Sequence, residues 1–286
     1  MQITNVDVRI VDIGRTFLWA GRREMRVMAV FVSIATDGGP TGVALAWGGD
    51  LDCATVRTAI HNQITPLLVG TDPVNRYRTL APVSRAIRVG TPLAALGVVD
   101  CALWDLMGKQ VNLPVCDLLG RQHDRLKGCA SAPPVDSPGQ CAAMVEELLA
   151  DGFKAIKLHA CGDVSVDTLV CKRAREVAGD GIELMMDAMS IYDRFEALAL
   201  GRTLDEQAYR WFEDPLPDND LSGWVHLRSK LQTPLAGVDA VRFTTADYGP
   251  AIASGAFDIV RMDAARQGIS QLYALGKLAT GFGLGV

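Results

Sequence analysis

The sequence contains no Cys-x-x-Cys pair, and its seven cysteines (53, 101, 116, 129, 141, 161 and 171) are scattered and odd in number. That pattern argues against a disulfide framework and against a zinc ribbon, and reads instead as small buried hydrophobes. No apolar run approaches membrane-spanning length, and the opening MQITNVDVRIVDI alternates apolar and polar residues where a signal peptide is charged and then apolar. Cytoplasmic residence without a membrane partner is the expectation. A dominant charge is missing too: the net charge is −5, which creates no field able to gather phosphates, so nucleic acid is not an expected partner. An anionic small molecule must therefore be met by local cations.

What is present is an ordinary globular composition, 286 residues with 49% hydrophobic and 21% charged, enough for a small domain beside a larger one. Ile3, Val6, Val8 and Ile10 begin a strand pattern, and RVMAVFVSIATDGGPTGVALAW places two β-rich runs around the turn Asp37-Gly38-Gly39-Pro40. From Cys53 to about Gly120 the apolar spacing turns helical, as in AALGVVDCALWDLMGKQVN before Pro114. Residues 1–120 therefore read as an α+β module.

Beyond KGCASA, short apolar runs alternate with amphipathic helical stretches. The expected strands are GCASA (128–132), KAIKLHA (154–160), IELMMDA (182–188), YRWFEDP (209–215), TPLAGVD (233–239) and FDIVRMDA (257–264). Such alternation demands parallel strands with crossover helices, and six repeats favour a (β/α) TIM-type barrel over a small open sheet. Asp187, Glu213, Asp239 and Asp263 stand 26, 26 and 24 residues apart. A step of that size is one βα unit per acid, so each falls at the same end of the barrel, the end that carries chemistry.

A hard cation such as Mg²⁺ takes oxygen ligands in near-octahedral order, and adjacent strand ends aim Asp187, Glu213 and Asp239 at one point. Taken singly, each acid also fits a helix cap, a turn or a solvated loop; their equal spacing behind apolar runs favours the metal. In KAIKLHA, period-two alternation puts Lys157 and His159 on one face, towards the interior, while Lys154 falls at the strand start as a structural or solvated residue. A lysine beside a metal is expected to lose basicity towards the range of a general base, and histidine starts in that range. Asp263 reads either as a fourth metal-side acid or as the partner that orients an imidazole. His61, His123 and His226 fall in a helix, a linker and a barrel helix, and read as surface or packing residues.

These residues resemble the mandelate racemase and muconate lactonising branch of the enolase superfamily. ALWDLMGKQVNLPVCDLLG (102–120) looks like that family's lead from an α+β capping domain into the barrel, and FKAIKLHA, LMMDAMSIY, WFEDPLP, TPLAGVD and FDIVRMDAARQGIS fall in its order. The resemblance implies abstraction of the proton α to a carboxylate, with the enediolate stabilised on Mg²⁺. It implies Asp187, Glu213 and Asp239 as ligands, Lys157 flanking the base, His159 at the second lysine of a Lys-x-Lys motif, and Asp263 as the aspartate of a His-Asp dyad. Three departures stand out: His159 in place of that lysine, Met189 where many relatives have asparagine, and an end at GFGLGV where a seventh strand would start. The expected architecture is thus a capping domain over 1–120 and a barrel over 121–286 that stops after about six βα units, short of the roughly 200 residues of a complete barrel. A fragment of a longer product is expected, with the activity belonging to the complete enzyme.

A homo-oligomer acting on a small-molecule carboxylate is expected. In the resemblance, loops of the capping domain cover the substrate, here 16–25 (TFLWAGRREM) and the turn at 47–50. Arg22, Arg23 and Arg26 either meet a hydroxylated or anionic substrate or form a solvated basic loop, and Trp19 and Trp47 are either contacts or packing. An acid-sugar dehydratase is the leading expectation, followed by a racemase or epimerase, then a cycloisomerase, with a catalytically silent metal-binding scaffold as the reading from another class.

Overall fold

The computed structural model describes all residues except 20–22, 48–50, 88–89 and 238–244, and except the side chains of 17–19, 23–25, 77, 86–87 and 245–247. Packing divides the chain into two units. The first holds Met1–Phe17, Met25–Asp124 and Asp263–Leu275; the second holds Arg125–Met262 and Gly276–Val286.

The first unit begins with a sheet in the order β1 (Ile3–Trp19), β2 (Arg23–Thr36), β3 (Gly42–Trp47). β2 and β3 pair antiparallel, Phe31 opposite Leu45, around the turn read from the sequence. Val30, Val32 and Ile34, two residues apart, are fully buried on one face. Helices follow: α1 (Cys53–Ala59), a π turn at Ile60–Ile64, α2 (Thr65–Leu68), α3 (Arg76–Ile87), α4 (Leu93–Val111) and α5 (Val115–Leu118). Ala95, Val98, Val99, Ala102, Leu103 and Leu106 form the buried stripe of α4, the helical spacing that covers a sheet face. Contact is close at Gly42, where an added Cβ would sit 2.2 Å from the Ala102 carbonyl oxygen. α4 ends on Asn112 in the left-handed conformation, φ 55°, which asparagine tolerates better than most residues.

The second unit alternates β4 (Ala130–Ser131), α6 (Pro138–Ala150), β5 (Ala155–His159), α7 (Val164–Ala178), β6 (Glu183–Asp187), α8 (Arg194–Glu206), β7 (Trp211–Glu213), α9 (Leu221–Arg228), β8 (Leu235–Gly237), α10 (Thr245–Ala253) and β9 (Ile259–Val260). The six strands form one parallel sheet in sequence order, at the six places read from the sequence. After Val260, Ile259 makes a further parallel bridge to Gly285. α11 (Ala264–Gln267) and α12 (Ile269–Gly281) complete the chain.

Ile156, Leu158, Leu184, Met186 and Phe212 alternate with the site residues and are fully buried, each contributing about 1.5–3 kcal/mol when removed from water. The register sets the opposite face: His159 lies beside Asp187 and Asp187 beside Glu213, with Lys157 beside Met185 and Met185 beside Trp211 one layer below. Residues paired across a parallel sheet point the same way, so one row of strand ends presents an imidazole and two carboxylates together. Among the described residues no helix is long and apolar enough to cross a membrane.

Candidate active site

Lys157, 6% exposed, reaches up from the lower layer and donates to Asp187 Oδ2 at 2.8 Å and to Glu213 Oε1 at 2.9 Å. His159 Nε2 lies 3.3 Å from the same Asp187 oxygen, and its Nδ1 lies 2.6 Å from the carbonyl oxygen of Ala132. A carbonyl only accepts, so Nδ1 donates to it; a carboxylate also only accepts, so the contact to Asp187 is made by a proton on Nε2, and that proton is the one His159 can give up and take back. Glu213, 1% exposed, also receives Arg261 Nε at 2.6 Å on Oε1 and Trp211 Nε1 at 3.2 Å on Oε2. Asp187 Oδ1 accepts from the backbone N–H of Met189 at 2.9 Å.

The loops carrying these residues are tied together by Asp167, which has no exposed surface. It accepts from the backbone N–H groups of Cys161 at 3.1 Å and Gly162 at 3.3 Å, and from the Tyr192 hydroxyl. The segment after β5 is thereby joined to the segment after β6.

The electrostatics follow from burial and pairing. Burial works against the Asp187 charge, but the His159 contact and the Lys157 charge outweigh it and hold this carboxyl well below its usual range. Burial and then the Asp187 charge push Glu213 up, against Lys157 and Arg261. The expected loss of basicity at Lys157 belongs to a lysine beside a bound metal; the metal-free chain is balanced differently. In the structure burial does lower the Lys157 pKa, yet Asp187 and Glu213 together prevail, and it is held above its ordinary value. Two carboxylates in contact stabilise the ammonium more than burial disfavours it.

Asp214, 4% exposed, extends the cluster. Its φ of 41° turns the chain sharply after Glu213, and its Oδ1 is buried with no hydrogen-bond donor. Burial pushes its carboxyl well above the usual range, and the charges of Asp187 and Glu213 add to the shift. Below the unfolded carboxylate value of about 3.9 the group is protonated in both states; as pH rises the unfolded chain ionises freely while the folded one resists, so stability is withdrawn up to the folded value. In metal-free buffer, Asp214→Asn is therefore expected to be more stable than the parent at pH 8 by about 1–3 kcal/mol, and equal to it near pH 4. Thermal melts of both proteins across that range check this.

Asp187, Glu213 and Asp214 each offer a carboxylate oxygen, and the three lie within 4.8 Å of one another. An octahedral Mg²⁺ sets its oxygens about 2.9 Å apart when adjacent and about 4.2 Å when opposite. With the undonated Asp214 oxygen beside them, these residues fit a small divalent cation.

The structure thus brings Lys157, His159, Asp187 and Glu213 together. Asp239, two residues past β8, lies outside the described residues, as does Arg22; the side chains of Trp19 and Arg23 are likewise outside them. Trp47 ends β3, 55% exposed, and Arg26 pairs with Asp12 at 2.6 Å. Asp263 is the N-cap of α11, accepting from the Ala265 N–H at 2.8 Å, and lies in the first unit. His61, His123, His226 and Lys154 are exposed. Missed from sequence were Arg261 and Asp214. Arg261 stands two residues before Asp263, within the expected strand FDIVRMDA, and that position was its available signal.

Met189 stands where many relatives have asparagine; its backbone N–H donates to Asp187, and its φ of 50° lies in the left-handed region where asparagine is favoured. Met189→Asn is expected to stabilise the fold by about 0.5–1 kcal/mol with Mg²⁺ affinity unchanged, as read by melting and calorimetry.

A parallel α/β unit with carboxylates at successive strand ends, preceded by an α+β unit, is the arrangement of the enolase superfamily. Within it the chain belongs to the mandelate racemase and muconate lactonizing enzyme family: residues 6–120 match its N-terminal domain and residues 140–286 match the enolase C-terminal domain-like family. The chain is 30% identical to D-galactarolactone cycloisomerase of Agrobacterium fabrum, over 98% of this chain and 76% of that protein. It is 28% identical to arabinonate dehydratase of Saccharolobus solfataricus, over 91% of this chain and 71% of that one. The crystal structure of D-glucarate dehydratase from Agrobacterium tumefaciens complexed with magnesium superposes with a TM-score of 0.88 at 29% identity, covering 99% of this chain and 79% of that one.

Proposed function

We propose that the chain serves Mg²⁺-dependent abstraction of the proton α to a carboxylate, in an acid-sugar dehydratase. The observation that carries this is the row His159, Asp187, Glu213, in which a histidine with Nδ1 committed to Ala132 presents Nε2 to buried Asp187, with buried Glu213 next in the row. Asp187 and Glu213 would hold the cation, with Asp239, 26 residues beyond Glu213 in the sequence, as the third ligand and Asp214 within reach. When bound, Mg²⁺ supplies the positive charge against which a developing enediolate is stabilised. Lys157 adds a fixed charge for the substrate carboxylate, and Trp211 orients Glu213. His159 Nε2 takes the α-proton; the imidazolium so formed is the acid that protonates the departing β-hydroxyl, leaving an enol that becomes a 2-keto acid. The dehydratases and the cycloisomerase among the relatives act on or form sugar acids and lactones, as their names state, which supports that substrate class.

Incubation with Mg²⁺ and a panel of sugar acids is expected to yield 2-keto acid. Inversion at the α carbon without 2-keto acid would instead mark a racemase or epimerase, and lactone opening without loss of water a cycloisomerase.

A further inference from the structure

Glu213 Oε1 is shared by two cations, Lys157 Nζ at 2.9 Å and Arg261 Nε at 2.6 Å. Lys157 also bridges to Asp187 Oδ2 at 2.8 Å, so both carboxylates are already engaged by cationic side chains. The two cations are not equivalent. The Lys157 side chain is 7% exposed and bridges both carboxylates, whereas the Arg261 side chain is 35% exposed and touches Glu213 from the rim, directly after β9. Arg261 is fixed at its root, its backbone N–H donating to the Gly237 carbonyl at 2.9 Å. Glu213 would keep its place without it, because Trp211 and Lys157 still donate to its two oxygens.

We infer that Arg261 is a built-in competitor for the cation: its guanidinium holds the Glu213 oxygen and adds a fixed positive charge beside it, and so sets the Mg²⁺ affinity of the site. This rests on reading Asp187 and Glu213 as a cation site. A divalent ion entering there must displace the guanidinium from Oε1 and then tolerate its charge a few ångströms away. Removing that charge tightens binding. Even with waterlike screening, one unit charge about 5 Å from a divalent cation changes its affinity by at least about tenfold.

The test is calorimetric titration of Mg²⁺ alone into the metal-stripped chain and its variants. Arg261→Gln, and Arg261→Met as a second neutral variant that keeps the apolar stem, are expected to bind Mg²⁺ at least about tenfold more tightly than the parent. Arg261→Lys, which keeps the charge, is expected to stay near the parent. Unchanged or weaker binding in both neutral variants would overturn the inference while leaving the cation site standing. No Mg²⁺ binding by the parent or by any variant would overturn the cation site itself.

Discussion

Glu213→Gln is expected to weaken Mg²⁺ binding at least about a hundredfold and to reduce Mg²⁺-dependent turnover to background. The substitution preserves shape and volume, and the amide oxygen can still face Lys157. What it removes is a negative charge that is 1% exposed and lies between Asp187 and Arg261. In so buried a site a lost ligand charge leaves the remaining cations without their counter-charge, on the order of 3–5 kcal/mol. Titration of Mg²⁺ into the variant, with a melt showing that it is folded, reads the effect directly. Full activity would remove Glu213 from the metal site.

His159→Asn is expected to lower kcat by about 10²–10⁴-fold while Mg²⁺ still binds, the loss typical of a removed general base. Asparagine is the informative replacement because its amide NH₂ can take over the bond that Nδ1 makes to the Ala132 carbonyl. The side chain then keeps its anchor and loses only the basic Nε2. A loss confined to kcat assigns the histidine to proton transfer; a loss confined to KM would make it a binding contact.

Much of this site is legible in the amino-acid sequence. Six short apolar runs, each ending in polar residues, mark β4–β9, because a strand buried on both faces between helices is short and apolar. The 26-residue step from Asp187 to Glu213 is equally informative: parallel register aligns strand ends, and these two acids pair directly, whereas on β8 the residue beside Glu213 is Ala236. Lys157 and His159 follow from period two alone.

The remainder depends on features without a periodic signature. Asp214 joins the carboxylates through a single left-handed turn after Glu213, and one φ leaves no trace in an apolar pattern. The proton on His159 Nδ1 is placed by Ala132, 27 residues earlier, just past the neighbouring strand. Without a cation, Lys157 is held up because two carboxylates within hydrogen-bond distance outweigh its burial, and those contacts leave no trace in the strand pattern. At Met189 it is the backbone that makes the contact, so the side chain carries no signal of it.

The most direct measurement is solvent deuterium incorporation at the α carbon of sugar acids in D₂O, followed by NMR with and without Mg²⁺. A cation-held site with His159 as base predicts incorporation that requires Mg²⁺ and is lost in both Glu213→Gln and His159→Asn. Absence of exchange with every carboxylate tried, while Mg²⁺ is demonstrably bound, would contradict it and make the chain a silent metal-binding scaffold.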